Sequence, residues 1–539
     1  MTTSRPVSQL GSHEVFNQPE PQRAVDLWGQ DHALREHATA AGARVDHLAQ
    51  VGAECGGETL RQAAEDARRD VPRLKTFDRA GRRVDEVEFH PGYHAVMQAG
   101  LEAGYASAAW DGQAGGHATH AVLTYYMAQL EPGVACPLTM TYAAVPALRH
   151  QPDLAEVWTP RLTSGVYDPR TTPIGAKQGA TLGMAMTEKQ GGSDVRANTT
   201  KASRDGEAYR LNGHKWFCSA PMCDGFLTLA QAEGGLTCFL VPRWLEGERN
   251  GIRIQRLKDK LGNKANASSE IEYHNALSYR VGEEGAGVRT IIEMVHHTRL
   301  DTVLAPAGLM RAAVQEAHWW VASRSAFQKR LIDQPLMRSV LADLAVDTEA
   351  ALSVGMFLAG AFDRDDVESR ALARIGVALA KYLNNKRCIG VIAEAMEMLG
   401  GMGYVEETPM PMLYREAPLN GIWEGSGNVI CLDVLRALVK EPEACEALRA
   451  VLTSVTGSDP RYDAALKVHF ERWPGLPHEA EARWFVESLA VLLTAASLIK
   501  TAPSEVAEGY VSSRVAGDRG AFPGAVRGMD VDAIIARLG

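Results

Sequence analysis

The string MAMTEKQGGSDVRANTT, residues 184–200, sits where the texture of this chain changes. A strand-like lead-in ends at Thr187, and small residues follow at Gly191, Gly192 and Ser193. Glycine lets the main chain approach a ligand closely, so N–H groups in such a turn can bond the carbonyl edge of a ring or an anion. On local evidence alone, a plain β-turn with a solvated Asp194 is the better reading. Upstream, from about Asp26 to Leu162, stretches such as DHALREHATAAGARVDHLAQVGAE are rich in Ala, Glu, Arg and Leu. They are punctuated at Pro91-Gly92, Pro132-Gly133 and Pro152, which is helical grammar. Between about Gly175 and Gly285 the apolar period shortens, in YRLNGHKWF, FLTLAQ, LTCFLVPRW and IEYHNAL, and predicts strands. After Val288 helical spacing returns: Leu372, Ile375, Leu379 and Tyr382, then Val391, Ala395 and Met398, recur at three- and four-residue steps and stop at Gly400-Gly401. A further, mostly helical segment follows Pro442.

A chain of 539 residues exceeds what a single hydrophobic core supports, so several packed domains are expected. A hydrophobic content of 46% rules out a disordered or fibrous chain. The net charge of −10 gives no basic footprint for non-specific nucleic-acid binding. The eight cysteines are scattered, form no CxxC pair and are too few for a disulfide framework, so a reducing cytoplasm is the expectation. The N-terminus is polar, and apolar runs such as Ser488 to Ile499 fall short of a bilayer span, so no membrane partner is expected.

Three other strings carry candidate chemistry. LNGHKWFCSA, 211–220, sets Trp216 and Phe217 before the Ser219 hydroxyl, which suits a flat heteroaromatic ligand, although a buried strand is the better local reading. In SRSAFQKRLIDQPLM, 323–337, the planar fork of Arg324 could clamp a pyrophosphate, or it could be a helix-surface cation. GIWEGSGNVI, 421–430, places Glu424 between an indole and a small polar run, where an exposed loop glutamate is the ordinary outcome.

In order and spacing these strings resemble the acyl-CoA dehydrogenase superfamily of flavoproteins from about residue 85 to residue 440. The resemblance also takes in KDKLGNKANASSEIEYHNA, HHTRLD at 296–301, AMEMLGGMGY at 395–404 and LYREAPLNGIWEGSGN at 413–428. Each signature alone is weak, and seven in order are specific. TEKQGGSD, FNQPEPQ, HKWF, RLKDKLGN, IWEGSGNVICLDVLR and the part beyond residue 440 look like the AidB-type branch, associated with the response to DNA alkylation damage. The fold implied is α+β and multidomain. It has an N-terminal helical domain (1–180), a central β-barrel domain (181–285), a C-terminal helical bundle (286–440) and an extra helical domain (441–539).

The resemblance implies FAD between the β domain and the helical bundle. Met184, Met186, Thr187, Gly192 and Ser193 would surround the ring. Phe217, Cys218 and Ser219 would border it, with Phe217 against its face and Ser219 at the N5 edge. Ile422, Trp423, Gly425, Ser426 and Asn428 would cover it. Arg324 and Phe327 match contacts that one subunit makes to a neighbour's FAD, which implies a homotetramer. Glu397 departs from the family, where many relatives carry glutamine near the pyrophosphate. Glu424 aligns with the base that removes the α-proton of an acyl-CoA thioester while the β-hydrogen leaves as hydride to flavin N5. Some relatives carry the base at the position of Thr298, and threonine cannot serve. The alternative implied by the branch is a protective flavoprotein that binds double-stranded DNA without significant acyl-CoA turnover, through Arg514, Arg519, Arg527 and Arg537. Against it, residues 441–539 hold ten Lys and Arg and fourteen Asp and Glu, a net of −4.

Overall fold

The computed structural model describes residues 6–539. Seven helices lead the chain: α1 (His32–Ala40), α2 (Val45–Cys55), α3 (Glu58–Arg69), α4 (Pro91–Glu102), α5 (Gly116–Leu130), α6 (Pro132–Leu148) and α7 (Pro152–Leu162). Caps set their starts: Asp31 accepts from the Leu34 N–H ahead of α1, and Glu131 accepts from the Gly133 N–H ahead of α6. One element departs from the helical expectation. Residues 73–88 form an antiparallel hairpin, β1 (Arg73–Phe77) and β2 (Arg83–Glu88). The alternation in RVDEVE is too short to stand out against the helical composition around it, and its pairing across an Asp78–Arg82 turn decides the matter.

The β domain follows: β3 (Leu182–Ala185), β4 (Lys201–Asp205), β5 (Ala208–Ser219), β6 (Gly225–Ala232), β7 (Gly235–Pro242), the short β8 and β9 (Trp244–Leu245, Glu248–Arg249), β10 (Ile252–Leu257) and β11 (Ser268–Val281). β5 pairs with β4 and β11, β11 with β7, β7 with β6, and β6 with β4 through Lys201 and Gln231. That ring closes a small barrel, which removes exposed sheet edges. β3 and β10 flank it. Tyr209, Leu211, Leu227, Leu229, Phe239 and Ile271 on the barrel strands are all nearly inaccessible.

Three long helices make the C-terminal bundle: α8 (Gly287–Ser323), α9 (Pro335–Phe362) and α10 (Val367–Met398). All seven residues of the predicted α10 stripe are buried, and Gly400 ends the helix at φ +61°. Between α8 and α9 a tight hairpin, β12 (Ser325–Ala326) and β13 (Lys329–Arg330), turns at Phe327 and Gln328. α11 (Met410–Glu416) and α12 (Gly427–Lys440) flank the Glu424 loop. α13 (Pro442–Thr453), α14 (Pro460–Arg472), α15 (Ala482–Thr501), α16 (Ser504–Tyr510) and α17 (Val531–Ala536) complete the chain. The last part is not a separate lobe: α15 packs on α9 and α10, and α17 on α9. Two segments, Pro335–Phe362 and Glu479–Thr501, are apolar and long enough to cross a bilayer, the second contrary to the expectation. In this fold 94% and 72% of their apolar windows are buried within the protein.

Candidate active site

Glu424 lies in the loop between α11 and α12 with its backbone at φ +57°, a left-handed conformation costing about 1–3 kcal/mol for a non-glycine residue. Three anchors hold the loop in that shape. The buried Lys381 ammonium on α10 donates to the Asn420 and Gly425 carbonyls, each at 2.9 Å. Arg299 on α8 donates to the Glu424 carbonyl at 3.3 Å and pairs with Asp433 of α12 at 2.6 Å. The Trp423 indole N–H donates to Asn420 Oδ1 at 2.8 Å, and its ring packs against the apolar core of the β domain. Lys381 and Arg299 were not foreseen. The only signal for Lys381 is a lone cation inside the apolar stretch IGVALAKYL.

The Glu424 carboxyl is interior. Oε2 is buried and has no hydrogen-bond partner. Desolvation pushes its pKa up from the ordinary carboxylate range, against the opposing pull of the Thr298 hydroxyl, Lys381 and Arg299. The Glu424 carboxyl is therefore not that of a solvated surface glutamate. Burial also pulls Lys381 down, to about 7, with Glu424 as the main opposing charge.

The 184–193 turn and the 216–219 strand come together as expected, because the Trp216 N–H donates to the Thr187 carbonyl at 2.8 Å. Beneath the turn, Glu188 and Lys215 form a fully buried pair at 2.9 Å, and Glu188 also accepts from the Thr199 and Thr200 N–H groups. A Cβ on Gly192 would lie 2.4 Å from the Thr187 hydroxyl, so only glycine fits there. Met184, Met186 and Thr187 are half-buried, and Ser193 is exposed.

In β5 a bulge breaks simple alternation: Lys215 pairs with Ile271, whereas Cys218 pairs with Ser269. The extra residue turns Lys215 and Cys218 both inward and leaves Phe217 outside, 47% exposed. This corrects the expectation for Cys218. Its side chain is sealed in the barrel core, and Phe217 and Ser219 alone of that trio face outward. The Lys258 ammonium lies 3.2 Å from the Trp216 ring centroid and 4.8 Å from that of Phe217.

The remaining candidates divide. Ile422, Ser426 and Asn428 are exposed and Gly425 is half-buried. Phe327 sits at the hairpin tip, 91% exposed. Arg324 donates to the Asn17 carbonyl, so the FNQPEPQ segment docks on that hairpin. Glu397 is on the exposed face of α10. The expected basic face at 514–537 is not formed. Arg514 is buried against Asp347 at 2.8 Å, Arg519 turns toward Asp343, and Arg537 pairs with Glu349 and Glu36. Only Arg527 is exposed, because the other three meet carboxylates on the helices that this segment covers.

Residues 17–169 match the adaptive response protein AidB N-terminal domain. Residues 183–276 and 285–439 match the acyl-CoA dehydrogenase middle and C-terminal domains. Escherichia coli AidB is 42% identical over 508 residues, 93% of this chain and 94% of that one. Acyl-CoA dehydrogenase family member 11 of Caenorhabditis elegans is 34% identical over 74% of this chain and 67% of its own length. The crystal structure of C. elegans ACDH-11 in complex with C11-CoA superposes with a TM-score of 0.83 at 25% identity, covering 98% of this chain and 97% of that one.

Proposed function

The chain belongs to the acyl-CoA dehydrogenase family, in its AidB branch, and on that premise we propose that it oxidises an acyl-CoA thioester with Glu424 as the base. The observation that carries this reading is the buried Glu424 carboxyl with one oxygen left without a partner. Burial raises its basicity toward what α-proton removal requires, and the vacant Oε2 is the atom that would receive the proton. Lys381 and Arg299 hold the loop that carries it, and Trp423 keeps its base side against the β domain.

The cofactor is FAD, and the chain's residues fit it. Phe217 offers a half-exposed ring beside the Ser219 hydroxyl, and Gly192 lets the turn close over the Thr187 side chain, which a Cβ there would strike. Bound FAD supplies the acceptor for the two electrons and the hydrogen that leave the β-carbon. Met184, Met186, Thr187 and Ser193 would frame its ring, with Ile422, Trp423, Gly425, Ser426 and Asn428 above. Phe327, projecting almost fully exposed from its hairpin, and Arg324 beside it would complete the site of a neighbouring subunit in a homotetramer.

The DNA-protective role implied by the branch has weaker support in this chain, since three of the four arginines expected to carry it are spent on internal carboxylates. The test of the enzymatic reading is anaerobic titration of the FAD-loaded protein with acyl-CoAs of graded chain length. Bleaching of the flavin band by at least one of them is expected. No bleaching by any member of the series would sink the proposal.

A further inference from the structure

Apart from the Glu424 loop, the described residues enclose a cavity of about 220 Å³ between β2, α4 and the β domain. None of its lining residues belongs to residues 419–428. Its floor is the Ala220–Asp224 turn, which follows directly on Ser219, and its roof is α4.

The walls are aromatic. Phe89 and Tyr93 stack with ring centroids 4.0 Å apart at 17°. Edge-on against both rings, His94 meets the Tyr167 hydroxyl through Nδ1 at 2.6 Å, and Met222 adds a pliable thioether. Into this space reaches Arg243, only 7% exposed. Its Nε donates to the Cys223 carbonyl at 3.0 Å, but Nη1 is buried with no partner; among the described residues no carboxylate lies within ion-pair distance of it, and Asp224 and Glu86 act on it from farther off. A buried guanidinium N–H without an acceptor is costly, and a ligand acceptor would relieve that cost.

Of the other charges in the lining, Lys177, Asp224 and Asp168 are already engaged. Lys177 pairs with Asp224 at 2.9 Å and donates to the Arg170 carbonyl at 2.8 Å. Asp224 also accepts from the Thr181 N–H, and Asp168 is held by Arg170 and the Gln178 N–H. Glu86 is the remaining acid, and it lies half-buried on the hairpin side.

We infer that this cavity is a second ligand site, taking a small arylcarboxylate whose ring sits among Phe89, Tyr93 and Tyr167 and whose carboxylate accepts from Arg243 Nη1. The volume equals that of about seven waters at ~30 Å³ each, which suits one ring with a short acid arm and is too small to hold a whole coenzyme A ester.

Calorimetric titration of the FAD-loaded full chain with phenylacetate and with butyrate provides the test. Saturable phenylacetate binding is expected, with butyrate at least tenfold weaker. Arg243→Met should weaken phenylacetate at least tenfold, Arg243→Lys less, and Met222→Trp should abolish binding by filling the space. Binding should persist in Glu424→Gln and under saturating butyryl-CoA. Because heat of binding is read, the result does not depend on whether any thioester is oxidised. Should Arg243→Met fail to fold, Met222→Trp decides the matter alone. Absence of saturable binding, unchanged affinity in Arg243→Met or Met222→Trp, equal binding of butyrate, or displacement by butyryl-CoA would overturn the assignment.

Discussion

At the scale of single residues, Glu424 combines a strained backbone with a buried carboxyl, and both conditions are imposed by its neighbours. Glu424→Gln keeps the shape and removes the base, so acyl-CoA-driven flavin reduction should slow by about 10²–10⁴-fold, measured by stopped-flow bleaching. The base must be ionised to act and its pKa is raised. The reduction rate should therefore climb with pH through a value above the usual carboxylate range, and that limb should vanish in Glu424→Gln. Lys381→Met removes two carbonyl anchors and leaves the base itself in place. Loss of alignment should then cost on the order of 10²-fold in reduction rate while FAD stays bound. The glutamate could be singled out from the chain because it stands in a recognisable string. Lys381, lying 43 positions earlier, could not, since nothing local links a helix lysine to the carbonyls of a distant loop.

At the scale of elements, the buried Glu188–Lys215 pair fixes the 187–193 turn against β5. Removing one partner leaves an uncompensated buried charge, so Lys215→Met should destabilise the protein by about 3–5 kcal/mol in denaturant unfolding. The double variant Lys215→Met, Glu188→Gln should recover part of that loss. A second element-level contact joins α11 to the 258–267 segment. Glu416 is fully buried and accepts from the Asn263 main-chain and side-chain N–H groups at 2.6 and 2.8 Å. Desolvation nevertheless pushes its pKa from 4.5 up to about 7. A raised folded-state value means that its contribution to stability is complete below about pH 4.5 and is lost as pH rises through 7. The span is about 3 kcal/mol at full effect. Urea midpoints of wild type should accordingly fall between those pH values more steeply than those of Glu416→Gln. The bulge in β5 belongs at this scale too. It moves Cys218 inward, which alternation counted from the sequence does not anticipate.

At the scale of the whole molecule, the segment after residue 440 works as a buttress. Arg514 reaches Asp347 and the Asp343 carbonyl on α9, and Arg537 ties α17 to Glu349 and Glu36. Arg514→Met should therefore lower the melting temperature strongly, by the few kcal/mol lost when a buried ion pair is broken, and leave the salt dependence of duplex-DNA binding unchanged. Arg527→Ala should leave stability alone, and any DNA binding that rests on that exposed cation should lose about one unit of salt slope. Equal salt slopes in wild type and Arg527→Ala would remove this residue from a DNA surface. Arg514, Arg519 and Arg537 turn inward because the carboxylates that they meet, Asp343, Asp347, Glu349 and Glu36, lie on the helices beneath the segment.

The chain by itself determined the succession of helices, barrel and helices, the α10 stripe and the choice of Glu424 as the candidate base. Each of these rests on local periodicity or on a contiguous string of side chains. Only the tertiary structure decided which charges are spent inside the molecule, which face of β5 Cys218 occupies, that residues 73–88 pair as a hairpin, and that Lys381 and Arg299 hold the Glu424 loop. For three of them the physical reason is the same: burial and pairing depend on partners tens to hundreds of residues away, whereas the hairpin is local and its alternation is too short to stand out. A carboxylate or guanidinium has the same local sequence signature whether water or an opposite charge awaits it.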